Sequence, residues 1–323
     1  MKKRVVMNTK IVFVLKASLV LLLLGACSAI NPTPAQPVST PTIVVTPATG
    51  VQYQYVTNTL LLPSTRDLAA EYALNIDGDP KKSTENKFGE LLSLLVSAAP
   101  GLELQTTLDE AINTGQLVTL HMVKADSFLS DPSVSWFVYL GQPAASPSFD
   151  SSDKFTLDSK TPLNSPVIGS ITNGRFSGGP GSVRVRMFLL GQQVELDLIG
   201  VRLESDVNQN GCVNGKIGGG ITVEDFRSKL LPAIAAGLYQ IIEENNDTTS
   251  PLLQTFDSDK DKTITAQELE NNPMLMIAIS PDLDLLDSSG EFNPGQDGEK
   301  DSYSIGLGFT CVPAGFILAG EQY

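Results

Sequence analysis

The spacing of apolar residues changes between a helical and a strand-like period along the chain. In residues 86–98 apolar positions recur every three or four residues, which predicts an amphipathic helix. In residues 183–198 apolar and polar positions alternate on both sides of Gly191, which predicts a β-hairpin. The apolar phase shifts after Gly200, as a single bulge residue would cause.

Other segments extend this mixed pattern. Residues 117–123 and 134–140 are rich in β-branched and aromatic residues, and residues 303–311 alternate again, so all three are predicted strands. Residues 226–241 have helical spacing, with Pro232 expected to kink or restart the helix. The pattern predicts an α+β fold: a β-rich, sandwich-like antiparallel body with a helical insert before the last strand.

Composition and charge narrow the function classes. The chain has 323 residues, of which 41% are hydrophobic, so it can bury a large core. Its formal net charge is −14, and no basic surface is evident, which excludes nucleic acid as an expected partner. The single histidine, His121, excludes a multi-histidine metal centre and is expected to be a half-buried strand residue rather than a catalyst.

The first 26 residues have the character of an export signal. A basic start is followed by an apolar stretch that is too short and too interrupted to remain as a membrane span. Residues 24–27, Leu-Gly-Ala-Cys, resemble the lipobox of bacterial lipoproteins. The resemblance implies that Cys27 becomes the lipidated N-terminus and anchors the exported protein in a membrane, at the cell surface or on a periplasmic face; the alternative is a secreted protein with a free thiol.

A tether is predicted to follow, at residues 27–50. Residues 31–50 contain five prolines and five threonines and no charge, which favours an extended spacer. Residues 51–323 are then expected to form one globular domain. Cys212 and Cys311 are an even pair in an oxidising compartment, so a disulfide between them is expected, with two separate buried thiols as the alternative.

Residues 257–268 resemble the twelve-residue calcium loop of EF-hands. Carboxylates fall at positions 1, 3 and 5, a backbone carbonyl ligand is expected at 7, a residue that often acts through water at 9, and a glutamate is at 12. The flanking residues also predict short helices, and an apolar isoleucine occupies position 8. The candidate Ca²⁺ ligands are Asp257, Asp259, Asp261, Thr263, Thr265 and Glu268.

Position 6 departs from the EF-hand pattern. It is normally glycine because the backbone there is left-handed, but this chain has Lys262. A side chain in that conformation costs about 1 kcal/mol, and the ammonium adds a positive charge. We therefore expect weak binding, with a dissociation constant of about 10⁻⁴ to 10⁻³ M, as in extracellular modules.

A second acidic stretch follows Asp282 and Asp284. It does not fit the twelve-residue spacing, since Pro294 lies in its middle and Gly298 stands where the glutamate is expected. It is either an irregular second calcium site or a solvated acidic turn. The candidate ligands are Asp287, Ser289, Glu291, Asn293, Asp297 and Asp301.

These features together resemble uncharacterised EF-hand-containing bacterial lipoproteins. The resemblance implies a membrane-anchored extracytoplasmic protein that binds calcium and has a structural or ligand-binding role, with an unidentified protein or glycan as its ligand. The alternative is a secreted hydrolase that acts on glycans through a carboxylate pair, since such pairs have no fixed sequence spacing. A calcium sensor is less favoured, because a lone loop in a disulfide-tied domain has little freedom to expose apolar surface.

Overall fold

The computed structural model of the protein describes residues 50–79, 84–245 and 249–317. The predicted signal, Cys27 and almost all of the predicted tether lie outside these residues.

The strands are β1 Val51–Leu61, β2 Thr119–Ala125, β3 Ser130–Leu140, β4 Lys154–Thr156, β5 Val167–Thr172, β6 Arg175–Gly178, β7 Ser182–Leu189, β8 Gln192–Asn208, β9 Gly211–Thr222, β10 Ser302–Pro313 and β11 Gly315–Ile317. The helices are α1 Arg66–Glu71, α2 Lys87–Ala98, α3 Leu104–Asn113, α4 Val223–Asp225, α5 Leu231–Asn245, α6 Pro251–Phe256 and α7 Ala266–Asn271, with a π-helical turn at Phe226–Leu230 between α4 and α5.

Nine strands form one antiparallel sheet in the order β6-β5-β3-β2-β1-β10-β9-β8-β7. The long strand β8 uses one edge for β9, while its other edge pairs with β7 in its first half and with β6 in its second half. Because β6 also pairs with β5, the sheet curls until its two ends meet. The predicted α+β fold with a large antiparallel sheet is confirmed.

The local signals for the hairpin turn and the bulge are confirmed. Leu190 and Gly191 have left-handed backbones (φ 53° and 76°) and form the two-residue turn between β7 and β8. The register between β8 and β9 shifts between Ile199 and Arg202, and Gly200 within this interval has φ 63°. The extra residue explains why the buried face of β8 changes phase there.

The helical insert lies between β9 and β10, which are themselves neighbours in the sheet. The helix does not break at Pro232. Instead, the N–H of Leu231 donates to the carbonyl of Phe226 five residues earlier, which widens the turn just before the proline. The helix therefore continues into α5, which packs against β7, β8 and α7.

The predicted disulfide is present. Cys212 at the start of β9 and Cys311 near the end of β10 are cross-strand partners and are bonded to each other. Both side chains are buried in the main apolar core. The bond therefore joins the strands on either side of the insert, at the end of the pair remote from it.

Candidate metal centre

The loop at residues 257–268 connects two short helices whose ends are fixed by the core. The Oγ of Ser250 accepts a hydrogen bond from the N–H of Leu252 and caps α6, with proline in the first turn. Phe256 at the end of α6 and Leu269 in α7 are both buried. Ile264, at the eighth loop position, is also buried in the main core. These apolar residues thus anchor the loop to the core, while its acidic part faces solvent.

Three aspartates converge in the exposed part of this loop. One carboxylate oxygen from each of Asp257, Asp259 and Asp261 lies within 4.8 Å of those of the other two. The backbone N–H of Asp261 donates to Oδ1 of Asp257 and to Oδ1 of Asp259, at 3.1 Å in each case. The loop backbone therefore holds the three carboxylates on one side, as a site for a hard cation requires.

The sixth position has the backbone conformation that the EF-hand pattern predicts. Lys262 has φ 72°, in the left-handed region, and its N–H donates to Oδ2 of Asp257 at 2.9 Å. Lys260 is also left-handed, with φ 64°, which the sequence analysis did not predict. Both lysines therefore have a strained backbone, which allows the chain to turn around the carboxylate of Asp257.

Glu268 closes the loop from the other end but does not join the aspartate group. Its Oε2 accepts from the N–H and the hydroxyl of Thr265, both at 2.9 Å, while Oγ1 of Thr265 accepts from the N–H of Glu268. Its Oε1 accepts from the N–H of Ser258 at 2.7 Å. Partial burial opposes ionisation of Glu268, but the hydrogen bonds from Thr265 and Ser258 outweigh it and lower the pKa of this carboxyl group.

The six predicted ligands therefore divide into two groups. The three aspartates form the convergent group, and Thr263 adjoins it through hydrogen bonds from its N–H and hydroxyl to Oδ1 of Asp261. Thr265 and Glu268 form a capping box at the start of α7. Ser258, which the spacing of the ligands does not single out, connects the two ends of the loop through the hydrogen bond from its N–H to Glu268.

The loop carries a net negative charge, with four acidic residues and two lysines. Among the described residues, no ion pair includes a carboxylate of residues 257–268. By contrast, all four carboxylates of β8 pair with arginines. The carboxylates of the loop are instead directed at backbone N–H groups and at one another, which is the electrostatic setting in which a divalent cation is stabilising.

The six candidate residues of the second acidic stretch do not gather at one point. Oδ1 of Asp287 accepts from the N–H groups of Ser289 and Glu291, and Asn293 lies 3.4 Å from its other oxygen. Asp301 instead accepts hydrogen bonds from two backbone N–H groups at residues 285 and 286. The remaining residue, Asp297, accepts from the N–H of residue 299. The structure thus distributes these side chains over three separate turns.

The single histidine is part of a buried polar network. The indole N–H of Trp136 donates to Nδ1 of His121 at 3.1 Å, and Nε2 lies 2.7 Å from the hydroxyl of Thr57. Because tryptophan can only donate, the neutral ring carries its proton on Nε2 and donates it to Thr57. Burial lowers the pKa of His121 to about 3. The predicted half-buried position is wrong, because His121 is fully buried and both of its ring nitrogens have hydrogen-bond partners.

No protein-family model matches this chain, and no curated protein or solved structure shows significant similarity to it. Among the described helices, none combines the length and apolar character needed to cross a bilayer.

Proposed function

We propose that the protein is an exported, lipid-anchored protein that binds Ca²⁺ through residues 257–268. Its role would be structural or ligand-binding rather than catalytic. The observation that supports this most strongly is the convergence of Asp257, Asp259 and Asp261 in a loop whose sixth residue is already left-handed. Calcium takes six to eight oxygen ligands, and this loop offers carboxylate, carbonyl and hydroxyl oxygens.

The sequence around the loop is strongly acidic, so bound calcium would stabilise it electrostatically. Residues 243–301 contain 15 acidic residues and only three lysines, a net charge of −12. This segment forms most of the insert between β9 and β10. A bound divalent cation reduces its self-repulsion and, by mass action, favours the folded chain. With a dissociation constant of about 10⁻⁴ M and 10 mM calcium, the gain is about 2.7 kcal/mol.

Glu268 is the residue on which the coordination geometry depends. In an EF-hand loop the glutamate at position 12 binds the ion through both oxygens, whereas here its oxygens accept hydrogen bonds from Ser258 and Thr265. Binding through this carboxylate would exchange some of those hydrogen bonds for metal ligation. The exchange adds a reorganisation cost and supports the expectation of weak affinity.

Isothermal titration calorimetry with Ca²⁺ tests the proposal. The wild-type chain should bind with a dissociation constant of about 10⁻⁴ to 10⁻³ M. Asp259→Asn and Glu268→Gln should each weaken binding at this site at least tenfold. Glu110→Gln, which removes one exposed carboxylate on α3, is the matched control and should leave the titration unchanged. Equal heats for wild type and both loop variants would refute the assignment of the site.

The membrane anchor rests on the resemblance of residues 24–27 to a lipobox. Expression in a bacterium supplied with a radiolabelled fatty acid should label the wild-type protein and not Cys27→Ser. The wild-type protein should also remain in the membrane fraction at high salt, because acyl chains anchor by hydrophobic burial. Release of an unlabelled wild-type protein would contradict the anchoring proposal without affecting the calcium proposal.

A further inference from the structure

Asp284 is a buried aspartate on the insert, outside the loop at residues 257–268. It lies between Leu283 and Leu285, both fully buried, and its own relative exposure is only 5%. The backbone around it is fixed, because Leu283 forms a bridge with Ser302 at the start of β10. Its side chain is therefore held in place by the neighbouring core residues.

One oxygen of this carboxylate has no partner. Oδ2 of Asp284 accepts a hydrogen bond from the N–H of Gly298 at 2.8 Å, and its backbone carbonyl accepts from Gly295 at 3.1 Å. Oδ1 is buried and accepts no hydrogen bond from any described residue. The bonds from the N–H groups of Gly295 and Gly298 place Asp284 and its carboxylate beside the turn at residues 293–298.

The neighbouring aspartates differ from Asp284 in this respect. Asp282 accepts from both the N–H and the hydroxyl of Ser304. Asp301 accepts from two backbone N–H groups with Oδ2 and from the hydroxyl of Ser302 with Oδ1. Both carboxylates have donors for each oxygen, whereas Asp284 lacks a donor for Oδ1.

Few cationic side chains act on the same segment: Lys300 lies within it, and Lys87 attracts the carboxylate of Asp282. Residues 282–301 contain seven acidic residues and one lysine, and no ion pair in the described part of the chain includes any of them. A buried carboxylate oxygen without a donor or counter-charge is strongly destabilising. In an acidic segment, a hard divalent cation satisfies both the oxygen and the charge.

We propose that Oδ1 of Asp284 is a ligand of a second Ca²⁺ ion, held between this side chain and the turn at residues 293–298. Backbone carbonyls of the turn would supply further oxygens, and Asp297, whose Oδ1 accepts a hydrogen bond from the N–H of residue 299, would add its Oδ2. The central ligand of this site is Asp284, which is not one of the six residues predicted from the sequence. Asp287, which is one of them, already accepts hydrogen bonds from the N–H groups of Ser289 and Glu291 in its own turn. It extends the calcium-binding function proposed above but does not require the loop at residues 257–268 to bind.

Equilibrium dialysis of the full-length chain with radioactive Ca²⁺ at millimolar concentration measures the number of bound ions. Wild type should bind two ions, and Asp284→Asn and Asp259→Asn should each bind one. Asp287→Asn is the matched control and should still bind two. The inference is overturned if Asp284→Asn binds as many ions as wild type.

The two proposals fail in different ways. If wild type binds one ion and Asp284→Asn abolishes it while Asp259→Asn does not, the second site stands and the loop assignment falls. If wild type binds one ion that Asp259→Asn abolishes, the loop assignment stands and the second site falls.

Hydrogen exchange covers the case in which Asp284→Asn does not fold. In the Asp259→Asn variant, which retains Asp284, millimolar calcium should slow amide exchange of residues 293–298 at least severalfold. The same addition should leave the amides of β7 unchanged. An absence of calcium-dependent protection in the turn would overturn the inference.

Discussion

Replacing Lys262 tests how the sixth loop position limits calcium affinity. Two effects were expected to weaken binding there: the strain of a left-handed side-chain residue and the positive charge of the ammonium. The two effects act on different steps, because the left-handed backbone of Lys262 (φ 72°) is held within the loop by the hydrogen bond from its N–H to Oδ2 of Asp257. We therefore predict that the strain lowers folding stability and that only the ammonium charge lowers calcium affinity.

The magnitudes follow from this separation. Lys262→Gly removes about 1 kcal/mol of backbone strain, but glycine also loses about 0.4–1 kcal/mol of extra chain entropy on folding, so the net change in stability is small. Lys262→Ala removes the charge and keeps the strain. The exposed ammonium acts on the carboxylates with about 0.4–1 kcal/mol, as exposed charge pairs do, so both variants should bind calcium about two- to fivefold more tightly than wild type.

Calorimetric titration at low and high salt measures this difference. The gain should shrink at high salt, because an exposed charge is screened. Arg66→Ala, which removes one exposed positive charge on α1, is the control and should leave the affinity unchanged. A tenfold tighter binding by Lys262→Gly than by Lys262→Ala would refute the reasoning, because it would mean that the left-handed conformation forms only with the ion.

Further predictions concern the fold. Burial lowers the pKa of His121 to about 3 from an ordinary value of 6.5, so protonation favours the unfolded chain below pH 6.5. In urea unfolding, the wild type should lose up to about 1.4 kcal/mol of unfolding free energy per pH unit towards pH 3, relative to His121→Gln. Equal pH slopes for the two proteins would refute this. Arg186→Ala removes the ion pair of the partly buried Asp158 and leaves Glu195 with only the exposed Lys160, so it should lower the unfolding free energy by about 3–5 kcal/mol. Arg184→Ala breaks a more exposed pair and should lower it by about 0–1 kcal/mol; similar losses in the two variants would contradict this. Cys212→Ser with Cys311→Ser opens a link between residues 99 apart in sequence and should lower the unfolding free energy by about 2–5 kcal/mol in guanidinium titrations, so an unchanged midpoint would argue against a stabilising bond.

Local sequence patterns were sufficient to predict most individual helices, strands and turns. The turn at Gly191 and the bulge at Gly200 follow from alternation and its change of phase, because side chains in a strand point to opposite faces with a period of two. The helical insert follows from its spacing of apolar residues. In the loop at residues 257–268, the carboxylate spacing was sufficient to predict which aspartates gather, since all three lie on one short turn.

Contacts between residues far apart in sequence could not be predicted from these patterns. The position of β1 between β2 and β10, and the closure of the sheet by β6 and β8, depend on pairing between segments far apart in sequence, which alternation alone does not specify. The partners of Glu268 were missed for a related reason. The capping-box spacing of Thr265 and Glu268 was visible, but the bond from Ser258 requires the loop to fold back on itself.

The acidic residues show this division most clearly. Their order along the chain predicted an EF-hand-like loop and a second acidic stretch, because carboxylate spacing in a short loop is a local property. Which carboxylates receive a counter-charge was decided by folding. Strand pairing places arginines beside all four carboxylates of β8, whereas no ion pair among the described residues includes a carboxylate of residues 282–301. Burial of Asp284 depends on the contact of its neighbours with the core, and for that reason no reading of spacing alone could single it out.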